Sequence, residues 1–196
     1  MQPGTRPSRA MGLVLVLCCV SLLPAGSAPG PDDPVGRAAP GWEIDEWIQG
    51  GPLSLESLRG RVVLVRWWTG PDCPYCRASA PYLNSWQDAY ADKGLVIVGL
   101  YHHKSGGPLE AGDVKKLVDA FGFRFPVAID AGWRTLDRWW LHGNDRAFTS
   151  VSFLLDREGI IRRVHRGGSY TGQEAGAIES HIRMLLSAAG PDESPE

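Results

Sequence analysis

The chain has 196 residues, 43% hydrophobic and 21% charged, with a formal net charge of −2 at pH 7. That length suits one domain with a real core plus terminal extras. The near-neutral charge provides no basic face for nucleic acid. No apolar run reaches 18 residues, which excludes a multi-span membrane protein. Its 24 glycines and 15 prolines lack a short period, which excludes a collagen-like or wholly disordered chain.

Residues 1–28 read as an export signal. Arg6 and Arg9 precede a 13-residue apolar stretch at 11–23, and small residues at 24–28 offer cleavage after Ala28. An uncleaved N-terminal membrane anchor is the alternative. Cleavage removes two basic residues and no acid, which takes the net charge from −2 to −4. It also removes Cys18 and Cys19, leaving only Cys73 and Cys76 of the four cysteines. Stray thiols are a liability in an oxidising compartment. A pair with only two residues between its members is too close to cross-link a fold, so its role is chemical.

Residues 29–41 are rich in Pro, Gly and Ala and predict a flexible linker, with the domain spanning 42–188. The β-branched run 62–68 (VVLVRWW) predicts a buried strand, 69–72 a turn, and 76–91 a helix that Pro81 should kink. A second buried strand follows at 95–101. Asp113 is placed to cap a helix ending near Phe121. A short strand is expected at 126–129 and a short helix at 133–140. Residues 152–155 and 160–164 flank Asp156-Arg157-Glu158-Gly159 and predict a hairpin. A closing helix at 174–186 and a frayed tail at 189–196 complete the chain. Alternating strands and helices with a terminal hairpin predict an α/β domain: a mixed central sheet with helices on both faces.

A CxxC at a helix start places its first sulfur beside unpaired backbone N–H groups and the positive end of the helix dipole. Both favour the thiolate, the nucleophile of disulfide exchange. Cys73 is then the attacking cysteine, Cys76 the resolving one, and Pro74 fits the first helical position. The other chemistries lack parts. A structural zinc site needs four ligands, and c-type haem attachment needs His where Arg77 stands. No metal or cofactor is expected. A metal-binding or metallochaperone module using the CxxC remains the non-enzymatic alternative, and a thiol peroxidase the enzymatic one.

The segment 58–65 (LRGRVVLV), Trp67-Trp68, Cys73-Pro74-Tyr75-Cys76-Arg77, Pro81 and 152–159 (SFLLDREG) occur in that order. Together they resemble the exported thioredoxin-like proteins of the TlpA/ResA type, in the AhpC/TSA redoxin superfamily. The resemblance implies a thioredoxin-like fold and a thiol–disulfide oxidoreductase acting on protein partners through transient mixed disulfides. It implies reduction of extracytoplasmic partners, fed by a membrane electron donor. Peroxidases of this superfamily carry Thr or Ser three residues before the reactive cysteine, where this chain has Gly70.

Four departures mark the site. Asp72 stands where the family commonly has Trp, and a carboxylate there opposes thiolate formation. Arg66 replaces the buried acid that handles the inner cysteine's proton; it either snorkels from the strand end or pairs with Asp72, and near Cys73 it would favour thiolate. Ser79 replaces a family Glu. Ser150, preceded by Thr149, occupies the usual cis-proline position, so that bond is either trans or strained.

Thr149 and Ser150 stay groove candidates, with Pro74 and Tyr75. His102 and His103 lie beyond strand 95–101 on the sheet edge that carries the motif. His102 is the candidate replacement acid or base, against the plainer reading of two solvated loop histidines. One of Trp67 and Trp68, for which Trp68 is the candidate, packs against the dithiol. Trp133, Trp139 and Trp140 read as core, and His142, His165 and His181 carry no pattern.

Overall fold

The computed structural model describes residue 1 and residues 33–70, 73–104, 107–146 and 148–188. Residues 2–28 of the expected signal, Asp72 and the tail at 189–196 lie outside the described residues. Six strands form one sheet: β1 (Glu46–Gln49), β2 (Val62–Trp68), β3 (Leu95–Tyr101), β4 (Val127–Ile129), β5 (Val151–Leu155) and β6 (Ile161–Arg166). Their spatial order is β1-β4-β3-β2-β5-β6. The β2, β3 and β4 strands run parallel, while β1 on β4, β5 on β2 and β6 on β5 are antiparallel. This is the mixed sheet the sequence predicts, with the thioredoxin-like hairpin at one end.

All seven residues of β2 are buried, because both faces of this central strand are covered. Side chains alternate across it. Val62, Leu64 and Trp68 enter one cluster with α1 (Pro74–Tyr90), α2 (Ala111–Phe121) and α4 (Gly172–Ser187). Val63, Val65 and Trp67 face the other cluster, with the short α3 (Arg134–Leu136) and the π-helical turn Asp137–Leu141.

Several elements differ from the sequence expectation. The stretch 33–41 is docked where composition suggests a flexible linker: Ala38 bridges Ile160, Gly36 N–H donates to the Ile161 carbonyl at 2.8 Å, and Ile161 N–H to the Arg37 carbonyl at 2.9 Å. An outer strand leaves backbone groups unpaired, and this segment satisfies those of Gly159 and Ile161 at the start of β6. The four-residue β1 has no apolar alternation to announce it and exists by pairing with β4. Helix α2 starts at Ala111 after Glu110; Asp113 lies inside its first turn and pairs with Lys116 instead of capping. Helix α1 continues through Pro81 to Tyr90. At 133–140, three α-helical residues pass into a π turn. Buried Asp130 fixes this start by accepting from Thr135 N–H at 3.2 Å and Leu136 N–H at 2.8 Å.

Candidate functional site

Strand β2 delivers the chain to the start of α1. Cys73 is the N-cap of α1, with Pro74 at its first position as expected. Cys73 and Cys76 are joined as a disulfide with Cα atoms 5.4 Å apart. Cys73 Sγ accepts from Cys76 N–H at 3.2 Å. Cys76 is 1% exposed and its sulfur accepts from Thr69 N–H at 3.5 Å, whereas Cys73 is only half-buried. The outer sulfur is therefore open to attack and lies where backbone amides and the helix dipole favour negative charge. The inner sulfur is positioned to close the ring again.

Tyr75, between the cysteines, is 58% exposed. Trp68 is buried in the same cluster as Cys76, its ring edge-on to Tyr101 at 5.0 Å and to Phe123 at 5.4 Å. The Thr149–Ser150 bond is trans, which resolves the alternative the sequence leaves open. The Ser150 carbonyl accepts from Gly167 N–H at 3.1 Å, and Thr149 Oγ1 lies 2.9 Å from His102 Nε2. Phe148, one residue earlier, is 63% exposed.

His102 is not a solvated loop residue. It is fully buried, its N–H donates to the Trp68 carbonyl at 2.9 Å, and its ring stands edge-on to Trp133 at 5.4 Å. Burial pushes its pKa down to about 3, with the Lys104 and Arg66 charges acting the same way. The imidazole is therefore neutral near pH 7 and holds the 149–150 segment rather than serving as a proton reservoir. His103 differs: Nδ1 faces Tyr101 OH at 3.3 Å and Nε2 faces the Gly107 carbonyl at 3.0 Å. His165, unremarkable in sequence, is buried against Tyr170 at 4.9 Å, with Nε2 2.9 Å from the Ser169 carbonyl.

Arg66 neither snorkels nor reaches solvent. Its exposure is 0%, and Nη1 donates to the Gly167 carbonyl at 2.9 Å and to Ser152 Oγ at 3.4 Å. Nη2 donates to the Gly168 carbonyl, while Nε has no partner. Burial lowers its pKa. Ser152 Oγ in turn lies 2.6 Å from Tyr170 OH, and the guanidinium carbon sits 5.4 Å from the Tyr170 ring centroid. The family's proton-handling acid is thus replaced by a cation that holds a loop. Ser79, in place of the family's other acid, is buried and donates to the Cys76 carbonyl at 3.0 Å.

Sequence reasoning missed Gly167, Gly168, Ser152 and Tyr170. The adjacent glycines were the available signal. A Cβ built on Gly168 would lie 2.5 Å from Tyr75 Cβ, so this backbone passes directly against the residue between the cysteines.

A CxxC disulfide at a helix N-terminus on this sheet defines a thioredoxin-fold protein equipped for dithiol–disulfide exchange. The AhpC/TSA family model matches residues 35–164, and the chain belongs to that family. It is 30% identical over 141 residues to DipZ of Mycobacterium tuberculosis, which covers 71% of this chain but only 19% of DipZ. The chain thus spans about a fifth of that relative. It is 29% identical over 127 residues to the thiol-disulfide oxidoreductase ResA of Bacillus anthracis, covering 65% of this chain and 66% of ResA. Among solved structures, a thiol-disulfide isomerase from Corynebacterium glutamicum superposes with TM-score 0.62 at 28% identity, covering 77% of this chain and 98% of that one. A DsbE-type thiol:disulfide interchange protein from Chlorobium tepidum does so with TM-score 0.63 at 28% identity, covering 78% and 98%.

Proposed function

We propose that the protein is an exported thiol–disulfide oxidoreductase that reduces disulfides of extracytoplasmic protein partners. The observation that carries this reading is the asymmetry of the Cys73–Cys76 pair: an outer sulfur accepting an N-cap hydrogen bond and an inner sulfur buried beneath it. In the reduced protein the Cys73 thiolate attacks a partner disulfide, forms a mixed disulfide and expels one partner thiolate. Cys76, losing its proton, attacks Cys73 Sγ and releases the second. The partner's disulfide gains two electrons and two protons, one proton from Cys76 and one from solvent, while Cys73–Cys76 becomes the disulfide. A membrane donor then restores the dithiol. The export reading rests on the basic and apolar pattern of 1–28. Gly70, where the superfamily's peroxidases carry a hydroxyl residue, weighs against the peroxidase alternative.

The test is the reduction potential of the Cys73–Cys76 couple, equilibrated against glutathione and thioredoxin buffers. Thioredoxin lies near −270 mV and the strong oxidant DsbA near −120 mV. A value below about −230 mV supports a reductase fed by a lower-potential donor; a value above about −180 mV overturns that direction and makes the protein an oxidant or isomerase. A couple that never equilibrates overturns exchange altogether. Cys76→Ser should accumulate a mixed disulfide through Cys73, and Cys73→Ser should form none.

A further inference from the structure

Arg66 is a buried cation that the exchange mechanism does not employ. Its hydrogen bonds go to two backbone carbonyls and one hydroxyl, and no carboxylate accompanies it among the described residues. Removing a guanidinium from water without a counter-ion is costly. Carbonyl and hydroxyl dipoles pair with Nη1 and Nη2, leave Nε without a partner and leave the net charge intact inside the fold.

The charge is aimed at the dithiol side of the sheet. Arg66 lies between Leu64 and Trp68 on β2, and alternation gives all three the face that also buries Cys76. Gly168, whose carbonyl it holds, abuts Tyr75 between the two cysteines. Arg66 is fully buried and Cys73 half-buried, and charges at such positions are screened less than in water.

We infer that Arg66 is a permanent buried charge that stabilises the Cys73 thiolate of the reduced dithiol, and thereby shifts the couple in the oxidising direction. The disulfide carries no charge and gains nothing from Arg66, so the stabilisation falls on the reduced state alone. This inference rests on the exchange reading above, but it concerns the difference between variants and not the absolute potential.

Few other groups facing Arg66 can imitate the effect. They are Tyr170 beside α4, His165 on β6 and His102 beyond β3. Both imidazoles are pushed down by burial, so they stay neutral from pH 7 upward. Arg163 and Glu174 act on His165 from farther out, Lys104 lies beside His102, and Asp72 precedes Cys73 in sequence.

The test is Arg66→Gln, which keeps N–H donors for the carbonyls but removes the charge. The Cys73 pKa is read from the pH dependence of iodoacetamide alkylation and of thiolate absorbance, and the reduction potential is measured from pH 7 to 9.5. The expected result is a Cys73 pKa higher by one or more, a tenfold or greater fall in the thiol's acid dissociation constant. The two potentials should converge at low pH, where both proteins hold thiol. At high pH they should separate by about 30 mV for each tenfold change, with the variant more reducing. An unchanged Cys73 pKa overturns the inference, and so does a potential difference that stays constant with pH, which marks a merely structural role. Ser152→Asp supplies a counter-ion beside Nη1 while retaining Arg66; it should raise the same pKa, and it decides the matter if Arg66→Gln does not fold. Loss of exchange in the parent protein overturns the function and is a separate result from either variant's.

Discussion

Gly168→Ala isolates the contact between the 167–168 loop and the active-site helix. Gly168 has no positive φ, so alanine fits its backbone and the cost arises from contact alone. The added Cβ would sit 2.5 Å from Tyr75 Cβ, 3.1 Å from Cγ and 3.4 Å from Cδ2. The first atom is bound directly to the helix backbone and cannot rotate away. Loop and helix must part by almost an ångström to restore ordinary contact of 3.4 Å or more. Overpacking of this kind costs about 1–3 kcal/mol; at about 2 kcal/mol, a domain of this size loses roughly 4–8 °C in Tm. Calorimetry of the oxidised protein reads the loss, and exchange with a disulfide substrate should slow as the first turn of α1 shifts. The double variants sharpen the test. Tyr75→Ala keeps the offending Cβ and should leave most of the penalty, whereas Tyr75→Gly should remove it, measured as coupling beyond glycine's own helix cost of about 1 kcal/mol. A Gly168→Ala protein melting within a degree of the parent, or rescued fully by Tyr75→Ala, refutes the reasoning.

Burial lowers the folded-state pKa of His102 to about 3, so between pH 6.5 and about 3 the unfolded chain binds a proton the folded chain does not. Stability should therefore fall with falling pH by up to about 1.4 kcal/mol per pH unit in that window. His165 adds a slope of the same sign, so His102→Gln should reduce the dependence without abolishing it; urea midpoints at pH 4 to 7 measure this. Thr171→Ala breaks the capping box at α4, where Thr171 and Glu174 exchange hydrogen bonds of 2.8 and 3.3 Å. The expected cost is about 1 kcal/mol, read from the same denaturation curves. Trp139→Ala should cost about 3–5 kcal/mol, because Trp139 is buried against Trp42, Trp67 and Phe153. Its ring lies on the sheet face opposite Cys76, so the Cys73 pKa should not move.

The strands 62–68 and 95–101 were legible because burial on both faces leaves a mainly apolar run, broken in the first only by Arg66, and the dithiol was legible because its spacing has few other uses. What escaped the sequence depends on partners distant in the chain. β1 exists through β4, the 33–41 segment through Ile160 and Ile161, and the 134–141 turns through the Asp130 carboxylate. The same holds at the site. Arg66 was visible as a departure, but its acceptors lie 101 and 102 residues away. His102 looked like half of a loop pair, and only its burial beneath Thr149 separates it from His103.

One rim of the sheet is partly covered and the other is short. The 33–41 segment occupies the end of the hairpin at one side, and at the other β1 spans four residues with a break in register between Trp47 and Gln49. Gln49 even turns its amide inward to the Phe123 and Phe125 carbonyls, at 2.9 and 2.7 Å. Binding that extends a sheet needs a long open edge. One rim of this sheet is short and irregular and the start of the other is taken, which leaves little room for an added strand. On the exchange reading proposed above, a partner disulfide meets the protein at the loops around the sulfurs, through side chains and loop backbone rather than a sheet ladder.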